Sequence, residues 1–125
     1  MLFIYDRRST HSYVRLIDST GWKPLAGSEG VEVLTLASDF DEPGKKGRRT
    51  RLVRFAPGVE TRDPLIHDYF EETFLLAGDV RGIRQAAAFG TFTEQAFVRR
   101  PPGTPHGPIR SEGGCVLLEM QYFPD

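Results

Sequence analysis

The chain is 125 residues long, 39% hydrophobic and 26% charged, with 16 Lys+Arg against 17 Asp+Glu for a net charge of −1. That is the length and composition of one folded domain able to bury a core without disulfides or a structural metal. The near-neutral balance excludes a chain built chiefly to attract nucleic acid or acidic lipid, no apolar run approaches the ~20 residues of a membrane span, and the lone Cys115 excludes an internal disulfide and any Cys-cluster zinc site.

The opening Met1-Leu2-Phe3-Ile4-Tyr5 runs into Asp6-Arg7-Arg8 too soon for a signal h-region, and a reducing, cytoplasmic address is the expectation. The 13 glycines and 9 prolines punctuate short apolar stretches: Ser12–Ile17, Gly30–Leu36, Thr50–Ala56, Glu71–Val80, Gln95–Arg99 and Cys115–Phe123. Each is bounded by turn formers and most are rich in Val, Leu, Ile, Phe or Thr, which predicts strand after strand in an all-β sandwich or barrel. No segment keeps a helical period for three turns, so one short N-terminal helical turn is the most helix expected. Asp39–Arg49, acidic then basic, reads as a solvated hairpin loop, because no aromatic platform for bases accompanies its cations.

Chemistry gathers around two of the three histidines. In a strand, His67, Tyr69, Glu71, Thr73 and Leu75 would share a face, with Glu72, Phe74 and Leu76 on the other. An imidazole and a carboxylate on the inner face of a small barrel could both reach one cation, and burying them without a partner would be costly. The rigid turn in Arg99–Pro108 could project His106 toward the same cavity. The plainer reading makes His67 a core histidine satisfied by a backbone carbonyl and Glu71 an ion-pair partner of Arg54. His11 reads as surface. Cys115 reads as a small core residue, since nothing nearby would activate its thiol. In the last strand Cys115, Leu117, Glu119, Gln121 and Phe123 share one face, opposite the apolar Val116, Leu118, Met120 and Tyr122. If the first face lines the barrel, Glu119 and Gln121 are pocket residues. Arg54, if inward, could orient an anionic oxygen of a substrate.

These two histidine segments resemble the cupin motifs. For the first, Gly-x5-His-x-His-x3–4-Glu-x6-Gly, Gly58 begins the match, His67 takes the second histidine's place, Glu71 follows after three residues and Gly78 closes it. For the second, Gly-x5-Pro-x-Gly-x2-His-x3-Asn, the chain supplies Pro101, Gly103 and His106. The likeness spans roughly Trp22 to Phe123 within a single domain, residues 1–125. Arg54-Phe55-Ala56-Pro57-Gly58, Glu71-Glu72, Arg100-Pro101-Pro102-Gly103 and Glu112-Gly113-Gly114-Cys115 are similar to the cupin domains of zinc-dependent anti-sigma factors and to dioxygenases acting on β-diketones and aryl ketones. The resemblance implies a jelly-roll β-barrel and a metal. Leu65 stands where the first histidine would be, with one extra residue before it; Gln95 replaces the second motif's glycine and Arg110 its asparagine.

The remaining set, His67, Glu71 and His106, is a two-histidine, one-carboxylate arrangement suited to Fe(II) with open positions, and equally able to hold Zn²⁺, Mn²⁺ or Ni²⁺. Tyr69 or Asp63 could complete the shell. The function that the resemblance implies is that of a non-haem Fe(II) dioxygenase on a small β-diketone or hydroxyaryl ketone, and the residues expected beside the metal are Arg54 and Gln121 contacting substrate and Tyr69 and Glu119 as acid/base groups. Two rivals stand beside it: an O₂-independent isomerase, cyclase or decarboxylase on a small carbonyl compound, and a non-enzymatic metal or ligand sensor. The apolar Phe74, Leu76 and Leu2-Phe3-Ile4-Tyr5 point to a homodimer joined through N-terminal strands, with a small molecule rather than nucleic acid or membrane as the other partner.

Overall fold

A computed structural model describes residues 20–62 and 64–124. Within them the regular structure is almost wholly antiparallel strand: β1 (Lys23–Pro24), β2 (Val31–Ser38), β3 (Arg48–Phe55), β4 (Phe70–Gly78), β5 (Val80–Gly82), β6 (Thr91–Phe92), β7 (Phe97–Arg100), β8 (Ile109–Arg110) and β9 (Cys115–Tyr122). The strands form a six-stranded sheet in the order β1-β2-β3-β9-β4-β7 and a three-stranded sheet in the order β6-β5-β8. The last strand lies between β3 and β4, so the chain returns on itself by long-range pairing in the manner of a jelly roll, with the two sheets left unjoined. The all-β cupin-type fold read from the sequence is the fold observed.

Two differences stand out. A 3₁₀ helix, Arg84–Phe89, sits between β5 and β6 where no helix was expected. The predicted N-terminal turn, the strand Ser12–Ile17, His11, and Asp63 lie outside the described residues. Asp39–Arg49 does make a hairpin loop, its neck held by Arg48 N–H donating to Asp39 Oδ1 at 2.7 Å and by the Asp41–Lys46 bridge, although β3 already starts at Arg48.

Period-two alternation sends one face of the large sheet inward. Val31, Val53, Phe55, Leu75, Val80, Cys115 and Leu117 form a buried cluster, with Val33, Val59, Phe92 and Ile109 packed against it. Cys115 is 5% exposed and burial pushes its thiol up, which fits the small core residue the sequence implied. The opposite face carries Arg54, Glu72 and the partly buried Val116, Leu118, Met120 and Tyr122. Glu72 there accepts a hydrogen bond from the Tyr122 hydroxyl.

The register sorts the inward side chains into rows across the strands. Arg49, Gln121, Glu71 and Arg100 make the first; Arg51, Glu119, Thr73 and Val98 the second; Val53, Leu117 and Leu75 the third. Polarity therefore falls from one end of the interior to the other. A cavity of about 400 Å³ follows that gradient.

Candidate metal centre

His67 and His106 are brought together by backbone, not by a shared strand. Leu65 N–H donates to His106 O at 2.8 Å, His106 N–H returns a bond to Leu65 O at 2.9 Å, and Gly103 N–H donates to His67 O at 2.8 Å. The position where the cupin motif has its first histidine thus serves as the bridge that aligns the other two segments. Leu65 itself is 48% exposed at the cavity mouth. His67 precedes β4 rather than belonging to it, a correction to the predicted continuous strand. It still stacks on Tyr69, with ring centroids 4.4 Å apart, and lies 4.8 Å from the His106 ring.

The geometry converges. One donor atom from each of His67, Glu71 and His106 lies within 4.8 Å of the others. Glu71 is 2% exposed; its Oε1 accepts from Gln121 Nε2 at 2.9 Å, and its Oε2 lies 3.4 Å from His106 Nε2. Glu71 Oε2 and His106 Nε2 are both buried and without hydrogen-bond partners. Two unsatisfied acceptors side by side are unfavourable unless a cation or proton lies between them. Burial, with help from Arg100 and His67, pushes the His106 imidazolium pKa down to about 4, and burial lowers that of His67. Both rings are then neutral at physiological pH, the form in which imidazole ligates a metal. The donor set fits a divalent first-row ion.

Around the three donors the cavity is lined by Arg49, Arg51, Arg100, Tyr69, Thr73 and Glu119, and beyond them by aliphatic and phenylalanine side chains. Burial pushes the Tyr69 phenol up to about 12, keeping it a hydrogen-bond donor. Arg51 Nε donates to Glu119 Oε1 at 2.8 Å. Burial and the neighbouring Glu71 raise the Glu119 pKa above the ordinary carboxylate range.

Two predicted substrate contacts are placed differently. Arg54 does not line the cavity: it points to the outer face, where it pairs with Glu32 at 2.9 Å and lies over the Trp22 ring at 4.1 Å. The alternative ion pair between Glu71 and Arg54 fails for the same reason, the nearest guanidinium to Glu71 among the described residues being Arg100 at 4.0 Å. Gln121, 1% exposed, is enclosed between Arg49, whose Nε donates to its Oε1 at 2.5 Å, and Glu71, so it positions a donor instead of meeting substrate. Sequence reasoning missed Arg51 and Arg49 because β3 gave no clean alternation. Leu52 and Val53 are both buried, at 2% each, on opposite faces. The parity of Val53 and Phe55 carried the signal.

The model of the ChrR cupin-like domain family matches residues 10–122. No curated protein sequence matches the chain. Among solved structures, an acetylacetone dioxygenase from Acinetobacter johnsonii superposes with a TM-score of 0.69 at 19% identity, covering 100% of this chain and 85% of that one. The polyketide cyclase RemF from Streptomyces resistomycificus gives 0.64 at 17%, covering 88% and 78%. The complex of Rhodobacter sphaeroides SigE with the anti-sigma ChrR gives 0.59 at 21%, covering 85% of this chain and 50% of that one. At these identities the likenesses speak to the fold.

Proposed function

The chain belongs to the ChrR cupin-like domain family, and from that premise we propose that it is a metal-dependent cupin enzyme, a non-haem Fe(II) dioxygenase that cleaves a small β-diketone or hydroxyaryl ketone. The observation that carries the reading is the buried convergence of His67, Glu71 and His106, two of whose donor atoms have no other partner. A two-histidine, one-carboxylate set leaves coordination positions open for substrate and O₂. Iron bound there would supply Lewis acidity toward an enolate and a meeting point for O₂.

The chain's own groups do the rest. The cavity walls beyond the second row exclude water from an apolar body, and the Tyr69 hydroxyl stands beside His67 to donate a hydrogen bond to a ligand oxygen. Glu119, held by Arg51, supplies a carboxyl group able to keep or pass a proton at the ligand. For a β-diketone the two atoms of O₂ would end in a carboxylic acid and a 2-oxoaldehyde, which balances without a further reductant.

A second reading keeps the centre and dispenses with O₂: Zn²⁺ or Mn²⁺ in the same donors would support isomerisation, cyclisation or decarboxylation, and the likeness to RemF favours retaining it. A metal sensor is the third, favoured by the family model and the likeness to ChrR, but a cavity of about 400 Å³ beside the ion is more than ion binding needs. A homodimer belongs to the same proposal. Leu76 and Phe97, 42% and 52% exposed, would gain cover from a second copy.

Protein purified anaerobically should contain iron near one equivalent and consume O₂ on addition of β-diketones or hydroxyaryl ketones. Zinc with no O₂ uptake across such a panel, but with turnover to an isomeric or decarboxylated product, would shift the assignment to the second reading. Metal uptake without any turnover would leave the sensor.

A further inference from the structure

Three guanidiniums line the cavity, and two of them are engaged. Arg51 Nε donates to Glu119 at 2.8 Å, and Arg49 Nε donates to Gln121. Arg100 has no such partner among the described residues. On β7 it faces inward with Val98, while Phe97 and Arg99 face out. The carboxylate nearest to it belongs to Glu71, with Nη1 and Oε2 4.0 Å apart, beyond hydrogen-bond reach. Its guanidinium lies over the Phe89 ring, 5.4 Å from the centroid, a contact that occupies its face and leaves its rim of N–H groups free. Nor is the group sealed in. The side chain keeps 14% of its surface accessible, and none of its nitrogens is among the enclosed atoms that lack a partner. Those nitrogens therefore open onto the cavity that Arg100 lines.

The charges around the centre give that opening a meaning. Arg51 and Glu119 balance one another, and Arg49 has Glu42 at 4.0 Å. A divalent ion on His67, Glu71 and His106 would be offset by the Glu71 carboxylate and by one bound enolate. Arg100 is then left without a counter-charge, because the carboxylate beside it is engaged by the ion. An uncompensated guanidinium in a site that excludes water is unfavourable, so the ligand must bring a second negative group. Distances say where that group sits. Arg100 Nη1 is 4.0 Å from Glu71 Oε2, which is 3.4 Å from His106 Nε2. The group belongs next to the metal-binding oxygens, not at the far end of the molecule. A planar fork of N–H donors matches a carboxylate with both of its oxygens.

We propose that Arg100 is a specificity-determining residue, its guanidinium hydrogen-bonding a carboxylate attached beside the enolised carbonyl of the ligand. The substrate is then a 2,4-dioxo acid, a β-diketone bearing a carboxylate on one of its carbonyls, in preference to a neutral diketone. The inference rests on the metal centre and the diketone chemistry proposed above.

The test uses zinc-loaded full-length protein, in which binding is read without turnover. Calorimetry would compare 2,4-pentanedione with 2,4-dioxopentanoate, the same skeleton with one methyl replaced by a carboxylate, on wild type, Arg100→Met and Arg100→Lys. A carboxylate also favours zinc by itself, so the informative quantity is the change in preference between proteins. Wild type should prefer the dioxo acid, and Arg100→Met should reduce that preference by about 10-fold or more while changing 2,4-pentanedione by no more than about threefold. Arg100→Lys, which keeps the charge but not the fork, should fall between the two. No preference in wild type, an undiminished preference in either variant, or equal weakening of both ligands by Arg100→Met overturns the inference. A zinc titration on the same samples separates the causes. Absence of zinc uptake overturns the metal centre and this inference with it; normal uptake with no Arg100-dependent preference overturns this inference alone.

Discussion

Gln121 decides how Glu71 meets the two imidazoles. Its amide is 1% exposed and has no freedom: Oε1 is held by Arg49 and Nε2 donates to Glu71 Oε1, which leaves Glu71 Oε2 turned toward His106. Partners of this kind around a ligating carboxylate are worth roughly 10–100-fold in metal affinity. Gln121→Leu keeps the volume and removes both bonds, and should weaken zinc binding by about that factor, read by competition against a chelator of known affinity. Unchanged affinity would show that the carboxylate holds its orientation without the amide.

His106 gives a second prediction at this scale. Its folded pKa of about 4 lies below the ordinary imidazole value of 6.5, so between those values the unfolded chain binds more protons than the folded one. Metal-free protein therefore loses stability as pH falls through that window, by at most about 3 kcal/mol from this group. Glu119, whose pKa is raised, works in the opposite direction, so the comparison must be with a variant. Urea unfolding of His106→Gln should show a flatter acid limb than wild type from about pH 6.5 to 4; parallel limbs would mean that His106 is not held neutral by its surroundings.

The residues legible from motif spacing were His67, Glu71 and His106, of which one donor atom each lies within 4.8 Å of the others; Tyr69, which has no place in the motif, lines the same cavity. Arg54 and Gln121 have surroundings that the sequence did not show, because these depend on which side chain stands opposite across a strand, and register is a property of the folded sheet. Arg51 faces Glu119 across β3 and β9; nothing in the local sequence of either strand announces it.

At the level of elements, the long strands were legible and the short ones were not. β2, β3, β4 and β9 run for eight or nine residues and carry a pattern, whereas β5, β6 and β8 have two or three and cannot. Irregularity matters too: bulges at Thr35/Ala37 in β2 and Leu75/Ala77 in β4 shift the register partway along. The glycine that closes the first histidine motif has its explanation here. Gly78 ends β4 at φ 88°, and a Cβ there would lie 2.0 Å from Gly114 O and 2.8 Å from Cys115 Cα. Both obstacles are backbone, at the entry to the paired β9 and at its first residue, and have no easy way to yield. Gly78→Ala combines left-handed strain with displacement of the central strand, and should cost about 3 kcal/mol of unfolding free energy. Gly90→Ala is the control: φ is 85° but nothing lies within 4 Å of its Cβ, so its loss should be only about 1 kcal/mol. Equal losses in chemical denaturation would show that steric contact at Gly78 adds nothing to strain.

Over the described residues, the candidate metal donors and the apolar core occupy different ends of one interior. The core cluster of Val31, Val53, Phe55, Leu75, Val80, Cys115 and Leu117 contains none of the three donors. Folding should therefore not require the ion, in contrast to a small zinc domain in which binding free energy is folding free energy. A chelator such as EDTA is expected to leave the far-ultraviolet dichroism of the sheets intact. The ion would still add stability by mass action, because His67 and Glu71 meet His106 only in the folded chain. At free zinc of 100 times its dissociation constant that addition is about 2.7 kcal/mol, which for a chain of this size raises the melting temperature by roughly 10 °C. The double variant Glu71→Gln/His106→Gln keeps the size of the carboxylate and removes two of three donors; its melting temperature should not respond to zinc at that concentration. An equal zinc-dependent rise in wild type and double variant would place the bound ion somewhere other than this cavity. Unfolding by EDTA alone would contradict the separation of core and centre on which the expectation rests.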